Sequence, residues 1–360
     1  MKVKLNRQAF LEALSTASAA ASGQVKDVLG KVLFDASFGT LEASNGESSM
    51  IVVVDMTERS SGTCLLDPRR VLSILKESRD ESVTIEADER SIEIETGGAS
   101  YKLQATNPDE FPRIRSSDTE AIEVDAKRLM EALGTVDYAC DVDSTRYQLG
   151  GVNFVSTEGL LELVATDGRR LAYSSVPAGP GASLAGQSNI VPSKALGIVR
   201  RAIEGASGGI GIAVSGNGIE FRSGSVTVKT ILVEGRYPNW QGVIPKADGV
   251  AITFQAEPFL RAVKQASIVA DKESSGVVFA FTPGDCTLST RTADVGQSKV
   301  SVPVECDGEI TLTMDYRFVA QWLASLPKDS EVTMRASSKS APTLWVSGNA
   351  KYVIMPMERN

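Results

Sequence analysis

The chain has 360 residues, which predicts two or three domains rather than one, and at 42% hydrophobic it can bury ordinary cores. It has no histidine, so a Ser-His-Asp triad cannot be built, even though GASGG at 205–209 fits the Gly-x-Ser-x-Gly nucleophile pattern; that stretch reads as a Gly-rich loop. A net charge of −8 argues, taken in bulk, against nucleic-acid binding, and no apolar run approaches the ~18 residues of a membrane span.

The N-terminus, MKVKLNRQAFLEAL, alternates like a strand and then turns amphipathic, without the apolar core of a signal peptide. A cytoplasmic protein with no membrane contact is expected. Six helices are predicted in chain order, at 6–20, 68–80, 126–138, 192–204, 257–270 and 315–325, with alternating strands between them. They fall into a threefold repeat. VKLNRQAFLEALSTAS from Val3, IEVDAKRLMEALGTVD from Ile122 and ITFQAEPFLRAVKQAS from Ile252 align without gaps at offsets of 119 and 130 residues. Equivalent apolar positions are Phe10/Leu129/Phe259, Leu11/Met130/Leu260 and Leu14/Leu133/Val263, with Ala13, Ala132 and Ala262 coinciding.

A second set of strand-to-helix segments starts at Cys64, Asn189 and Thr311, with Pro68 and Pro192 where a first helical turn tolerates proline. Each repeat closes in alternating strands, as in SVTIEADERSIEIET from Ser82. The expected fold is α+β: three tandem copies of a two-helix domain with antiparallel sheets, bounded at 1–115, 116–245 and 246–360. The boundaries fall in the irregular, Pro-bearing stretches 110–120 and 236–246.

Charge is unevenly placed. The six helices hold 13 Lys/Arg and 8 Asp/Glu, a surplus of 5, so −13 falls on the remainder of a chain totalling −8. Arg69 and Lys76 lie opposite the stripe Val71, Leu72, Ile74 and Leu75; Lys194 and Arg201 lie opposite Ala195, Leu196, Val199 and Ile203; Arg261 and Lys264 share a side away from Phe259 and Val263. Any solvated helix face carries lysines and arginines. If all six faced one space, however, they would attract an anionic rod without reading bases. These faces lack aromatics for stacking, which favours duplex over single strand.

Four cysteines (Cys64, Cys140, Cys286 and Cys306) lie far apart with no Cys-x-x-Cys pair, so buried reduced thiols are expected rather than zinc ligands or disulfides. No phosphate-binding or dinucleotide-binding glycine fingerprint occurs, and no cofactor is expected. CDVDS at 140–144 offers two carboxylates but is not an EF-hand loop. A metal-dependent nuclease using Asp141, Asp143 or Asp167 stays open on the residues alone, as does a monomeric peptide-binding scaffold.

EFPRI at 110–114, RYQLGGV at 146–152, ATDGRRLA at 165–172, GRYPNW at 235–240 and YVIMPM at 352–357 occur in order at domain-scale spacing. With the three repeats they resemble the bacterial sliding clamps, the β subunits of DNA polymerase III, over the whole chain. The resemblance implies a non-enzymatic, ring-forming protein: a head-to-tail homodimer that encircles double-stranded DNA regardless of sequence and tethers polymerases. Its implied partners are the polymerase III α subunit, the clamp loader, DNA ligase and repair polymerases, each inserting a short Gln- and Leu-containing hydrophobic peptide.

On this resemblance the peptide pocket takes Leu149, Thr166, Gly168, Arg170, Leu171, Pro238, Val243, Val353, Met355, Pro356 and Met357. Asp167-Gly168 becomes a hairpin turn in its wall; by residues alone the tail reads as an edge strand. The DNA-facing set is Arg69, Lys76, Arg146, Tyr147, Lys194, Arg201, Arg261, Lys264 and Lys26. One edge of the dimer contact uses Tyr101 and Leu103 and the other Ile268 and Val269, four residues that by composition alone could equally be core. The chain departs from the family pattern in four places. Arg169 stands where histidine is common, and Gln241-Gly242 supplies no basic residue. Lys26 and Lys31 occupy a loop that lacks its usual prolines, and the tail extends to Glu358-Arg359-Asn360.

Overall fold

The fold is known from a computed structural model, which describes residues 1–56, 59–114, 117–141, 145–179, 184, 186, 188–206, 208–271, 275–293 and 295–357. Asp143, Ser207 and the tail residues Glu358, Arg359 and Asn360 lie outside the described residues. Among the described residues the α-helices are α1 (Arg7–Ala17), α2 (Pro68–Glu77), α3 (Ala126–Gly134), α4 (Ser193–Ile203), α5 (Ala256–Ala266) and α6 (Tyr316–Ser325). All six were predicted, but several are shorter than their apolar periodicity suggests. α1 passes into a 3₁₀ turn at Ser18–Ala20, α5 into one at Ser267–Val269, and α3 stops before another at Asp137–Ala139. A helix end tightens this way to satisfy its last carbonyls without lengthening, and periodicity alone cannot register the change.

α1, α2 and α6 each start on a side-chain cap. Asn6 accepts from the Ala9 amide at 2.9 Å, Asp67 from those of Arg69 and Arg70 at 3.0 and 3.4 Å, and Asp315 from that of Arg317 at 2.9 Å. The repeat is equally visible in burial. Phe10, Leu129 and Phe259 are all fully buried, as are Leu14, Leu133 and Val263, while Leu11, Met130 and Leu260 are all half-buried. Equivalent positions in the three copies therefore meet equivalent cores.

The chain divides into two compact units, residues 1–127 with 178–232 and residues 128–177 with 233–360. The reason lies in strand pairing. In the first unit an eight-stranded sheet runs Thr63–Leu66, Val32–Asp35, Thr40–Ser44, Ser48–Val53, Val226–Ile231, Gly218–Ser223, Gly209–Ser215 and Ile122–Asp125, joining strands of the first and middle thirds of the chain where Met50 faces Val228. α1 packs on Thr40–Ser44 and Ser48–Val53, with Phe10 edge-on to Phe34 at 5.4 Å, and α4 packs on Val226–Ile231. A separate four-stranded sheet runs Lys2–Asn6, Ser82–Ala87, Ser91–Thr96 and Ala99–Gln104, the last an edge strand with exposed side chains.

In the second unit the order is Gly151–Thr157, Leu160–Thr166, Arg170–Pro177, Ala350–Ile354, Thr343–Ser347, Glu331–Ala336, Val250–Gln255, Gly296–Cys306, Gly284–Thr292, Gly276–Thr282 and Ile310–Asp315. Here the middle and last thirds join where Leu171 faces Val353. Its core is aromatic: Phe259 stacks on Phe254 at 4.0 Å, and Trp322 stacks on Tyr352 at 5.4 Å.

The two stretches expected as loose boundaries are pinned. Phe111 is buried with Val28, Leu29, Leu33 and Leu65, with Ile114 packed against them, and Arg113 bridges Asp35 and Glu42 at 3.0 and 3.2 Å. Tyr237 and Trp240 are buried too. Proline and irregular backbone mark a break in regular structure, not in packing.

Candidate functional site

The stretch 165–175 is a hairpin, and its turn is built by its own side chains. The Asp167 carboxylate accepts from the Arg169 and Arg170 amides at 2.9 and 3.0 Å and from Arg170 Nε at 2.9 Å. Thr166 Oγ1 donates to the Arg170 carbonyl at 2.5 Å and accepts from the Gly168 amide at 3.1 Å. Gly168 takes φ +88°, a left-handed value that only glycine adopts cheaply, and a Cβ there would also meet the Arg146 guanidinium at 3.2 Å. Arg146 in turn donates to the Asp167 carbonyl at 3.0 Å and pairs with Asp141 at 3.4 Å. Asp141 and Asp167, expected to be free for a metal in the nuclease reading, are thus committed to arginines. The described residues hold no cluster of three or more His, Cys, Asp or Glu fit for a metal ion.

Arg170 does not present its guanidinium to solvent; it is 8% exposed. Its Nη2 donates to the Tyr138 carbonyl at 2.8 Å, its Nη1 donates to Gln321 Oε1 on α6, and the Phe318 ring lies 4.3 Å below it. The side chain expected to line a peptide pocket is instead buried beneath the hairpin turn.

Around this turn the structure gathers most of the predicted pocket. Leu171 and Val353 face each other across paired strands, and the Met355 amide donates to the Arg169 carbonyl at 3.0 Å, so the tail is stitched to the hairpin. Leu149 sits in a 3₁₀ turn, Tyr147–Leu149; a Cβ on Gly235 would lie 3.7 Å from Gln148, which brings the 235–243 segment alongside. That segment is held by Tyr237, whose hydroxyl donates to the Val164 carbonyl at 3.3 Å, and by Trp240, 5.4 Å from the Tyr173 ring. Tyr173 also donates to Glu162 at 2.8 Å, and burial followed by that carboxylate pushes its hydroxyl up to about 12.

Leu149, Leu171 and Val353 are buried, while Gly168, Pro238, Val243 and Met355 are exposed. Thr166 and Pro356 are half-buried. Met357 departs from the set. Its amide donates to the Thr313 carbonyl at 2.7 Å and its sulfur lies beside Gly276. Tyr173, Trp240 and Tyr138 were not singled out from sequence, because an aromatic in a strand or turn carries no mark of what it faces.

All nine residues of the predicted DNA-facing set are exposed. In the first unit Arg69 and Lys76 project from α2 and Lys194 from α4. Arg201 on α4 pairs with Glu204 at 2.5 Å and reaches Ser15 on α1 at 3.3 Å. Lys26 is exposed, whereas Lys31 is tied to the Thr106 hydroxyl. In the second unit Arg261 pairs loosely with Glu257 at 3.8 Å, Lys264 projects from the same helix, and Tyr147 is 76% exposed.

The four residues of the predicted dimer contact are not core. Tyr101 is exposed and Leu103 half-buried on the free edge strand Ala99–Gln104, and Ile268 is 79% exposed beside half-buried Val269. The thiols match expectation at Cys64, Cys140 and Cys286, all buried and unbonded, with burial pushing Cys64 and Cys140 up to about 12; Cys306 is only half-buried. Among the described residues no helix is long and apolar enough to cross a membrane.

Models of the N-terminal, central and C-terminal domains of the DNA polymerase III beta subunit match residues 1–115, 123–239 and 241–358 in turn. The chain is 29% identical over 296 residues to the beta sliding clamp of Caulobacter vibrioides, covering 79% of this chain and 78% of that one. It is 25% identical over 371 residues to that of Escherichia coli, covering 99% and 100%. The fold matches the crystal structure of the DNA polymerase III beta subunit from Pseudomonas aeruginosa with a TM-score of 0.93 at 20% identity, over the full length of both chains. It also matches the Caulobacter crescentus beta sliding clamp with a TM-score of 0.88 at 26% identity, covering 100% and 99%.

Proposed function

The chain belongs to the DNA polymerase III beta subunit family, the non-catalytic DNA sliding clamps, and from that membership we propose that it closes with a second copy into a ring around duplex DNA and holds polymerases there. Its three clamp domains are 1–115, 116–245 and 246–360. The ring is head-to-tail: the free strand Ala99–Gln104 of one protomer, with Tyr101 and Leu103, meets the partner's surface at Ile268 and Val269. Exposed apolar side chains at both places support the contact, since burying them against each other removes apolar area from water.

The exposed basic set, with Arg69, Lys76, Lys194, Arg201, Arg261 and Lys264 on helices and Lys26 and Arg146 on loops, attracts phosphates through screened charge, and Tyr147 beside Arg146 can donate a hydrogen bond to them. A duplex is thereby centred without being gripped. The hairpin–tail pocket receives hydrophobic peptides of the polymerase III α subunit, clamp loader, ligase and repair polymerases, which compete for it. Its methionine rim suits several clients, because a thioether repacks at little cost. Holding a polymerase beside its template raises its local concentration in place of repeated rebinding. The protein works in the cytoplasm, without cofactor.

The observation that carries this reading is the junction of hairpin and tail: buried Leu171 faces Val353 across paired strands, and the Met355 amide is held by the Arg169 carbonyl while Met355 itself is exposed. The test is topological. The protein is loaded with its clamp loader and ATP onto a nicked circular plasmid, the complex is isolated by gel filtration, and the circle is then cut once. Protein that stays on the circle and leaves the linear form is a ring; protein that stays on both grips DNA directly, and the proposal fails.

A further inference from the structure

The hairpin–tail junction of the second unit has a counterpart in the first, bond for bond. In the turn Ser44–Ser48 the Asn45 side-chain oxygen accepts from the Glu47 and Ser48 amides at 3.0 and 2.7 Å, as Asp167 does from Arg169 and Arg170. Ser44 Oγ donates to the Ser48 carbonyl at 3.2 Å and accepts from the Gly46 amide at 3.1 Å, the two bonds that Thr166 makes to Arg170 and Gly168. Gly46 takes φ +97° where Gly168 takes +88°. The Glu47 carbonyl accepts from the Ile231 amide at 3.1 Å, as the Arg169 carbonyl does from Met355 at 3.0 Å.

The surroundings match as well. Leu29 is buried in a 3₁₀ turn like Leu149, and its carbonyl accepts from the Ser22 amide at 2.8 Å where that of Leu149 accepts from Asp141 at 2.9 Å. Pro112 follows buried Phe111 as Pro238 follows buried Tyr237, and both prolines are exposed. Ile231 is 45% exposed, against 42% for Met355.

One facing pair breaks the likeness. Where Leu171 faces Val353 across the strands, Ser49 faces Lys229. Ser49 donates to Ser44 Oγ at 3.0 Å, and the Lys229 ammonium lies 3.6 Å from the Glu220 carboxylate. A hydroxyl and a charge thus stand in place of two apolar side chains. Covering them with an apolar ligand would take them out of water without a new partner.

We propose that this junction is a second peptide-docking frame held closed to apolar peptides by Ser49 and Lys229, so that each chain offers one client site rather than two. The inference rests on the pocket proposed above. The turn, the buried leucine beside it, the proline and the exposed apolar side chain at the strand end are present in both frames, so the facing pair carries the difference. Apolar side chains at both positions remove the desolvation cost and add buried area. They should raise the frame's affinity for an apolar peptide about a hundredfold.

The test titrates a Gln-Leu-Ser-Leu-Leu peptide by calorimetry, which gives Kd and the number bound per chain. The unaltered chain should bind one peptide, and Leu171→Ala with Met355→Ala none. Adding Ser49→Leu with Lys229→Val to that pair should restore one peptide per chain, and the same two changes in the unaltered chain should give two. Glu220 keeps Arg222 at 2.8 Å, and Ser44 keeps both backbone bonds, so the fold is expected to survive; urea midpoint and dimer mass check it. If the midpoint falls, Ser49→Leu with Lys229→Met, which retains the lysine's length, takes its place. A folded variant that gains no peptide overturns the proposal. Two peptides on the unaltered chain overturn closure by Ser49 and Lys229 and leave the first pocket standing. No peptide on the unaltered chain, or an undiminished one on Leu171→Ala with Met355→Ala, overturns the first pocket and the second frame with it.

Discussion

At the scale of single residues the hairpin turn is over-determined. Gly168 is fixed by its positive φ and by the guanidinium beyond it, so Gly168→Ala meets both backbone strain and a close contact. We expect a loss of about 1–2 kcal/mol in stability, read by urea unfolding, with peptide affinity falling as Arg146 is displaced. An unchanged midpoint would mean that the turn relaxes freely. Arg170→Met keeps the side chain's bulk but leaves Asp167, the Tyr138 carbonyl and Gln321 without their donor. Breaking one side of a buried charged network costs about 3 kcal/mol, and the loss should be larger than at Gly168.

Elements carry the next set of consequences. α2 begins on Asp67, which caps two amides, whereas α4 begins at Pro192 without any side-chain cap. Asp67→Ala should therefore cost about 1 kcal/mol, while Pro192→Ala should cost no cap hydrogen bond; urea midpoints of the two variants compare them directly. The pairing of Arg170–Pro177 with Ala350–Ile354 sets Leu171 against Val353, the floor of the proposed pocket. Leu171→Ala with Met355→Ala removes one buried side chain and one exposed side chain just beyond the paired strand. We expect client-peptide binding to be abolished and dimer mass to be kept, as measured by polarisation and light scattering. Unchanged peptide affinity would move the pocket elsewhere.

For the whole molecule the proposed ring rests on exposed apolar surface at Tyr101 and Ile268. Light scattering should give about 76 kDa, twice the chain's 38.2 kDa. Replacing Ile268 and Val269 with aspartates should return it to 38.2 kDa, because two carboxylates cannot be buried in an apolar contact. A persistent dimer would place the seam on another surface. How much of this was legible depends on the range of the interaction. Phe10, Leu129 and Phe259 could be matched by register alone, since a helix reports its buried face within a few turns, and all three prove fully buried. Arg170 could not, because an arginine after Asp-Gly reads alike whether it faces water or Phe318, and only packing against α6 distinguishes them.

The repeat, the six helices, the capped starts of α1, α2 and α6, the hairpin at Asp167-Gly168 and the basic helix faces were all determined by local sequence, because periodicity, caps and turns act over a few residues. Tertiary structure alone decided which apolar residues stay exposed, as at Tyr101 and Ile268. It also decided that the strands of the middle third continue two different sheets, and that Arg170 is buried while Arg169 is exposed. Those outcomes depend on partners far away in the chain. A side chain's burial and charge pairing are properties of what the fold brings beside it, and composition at one position carries no record of that neighbour.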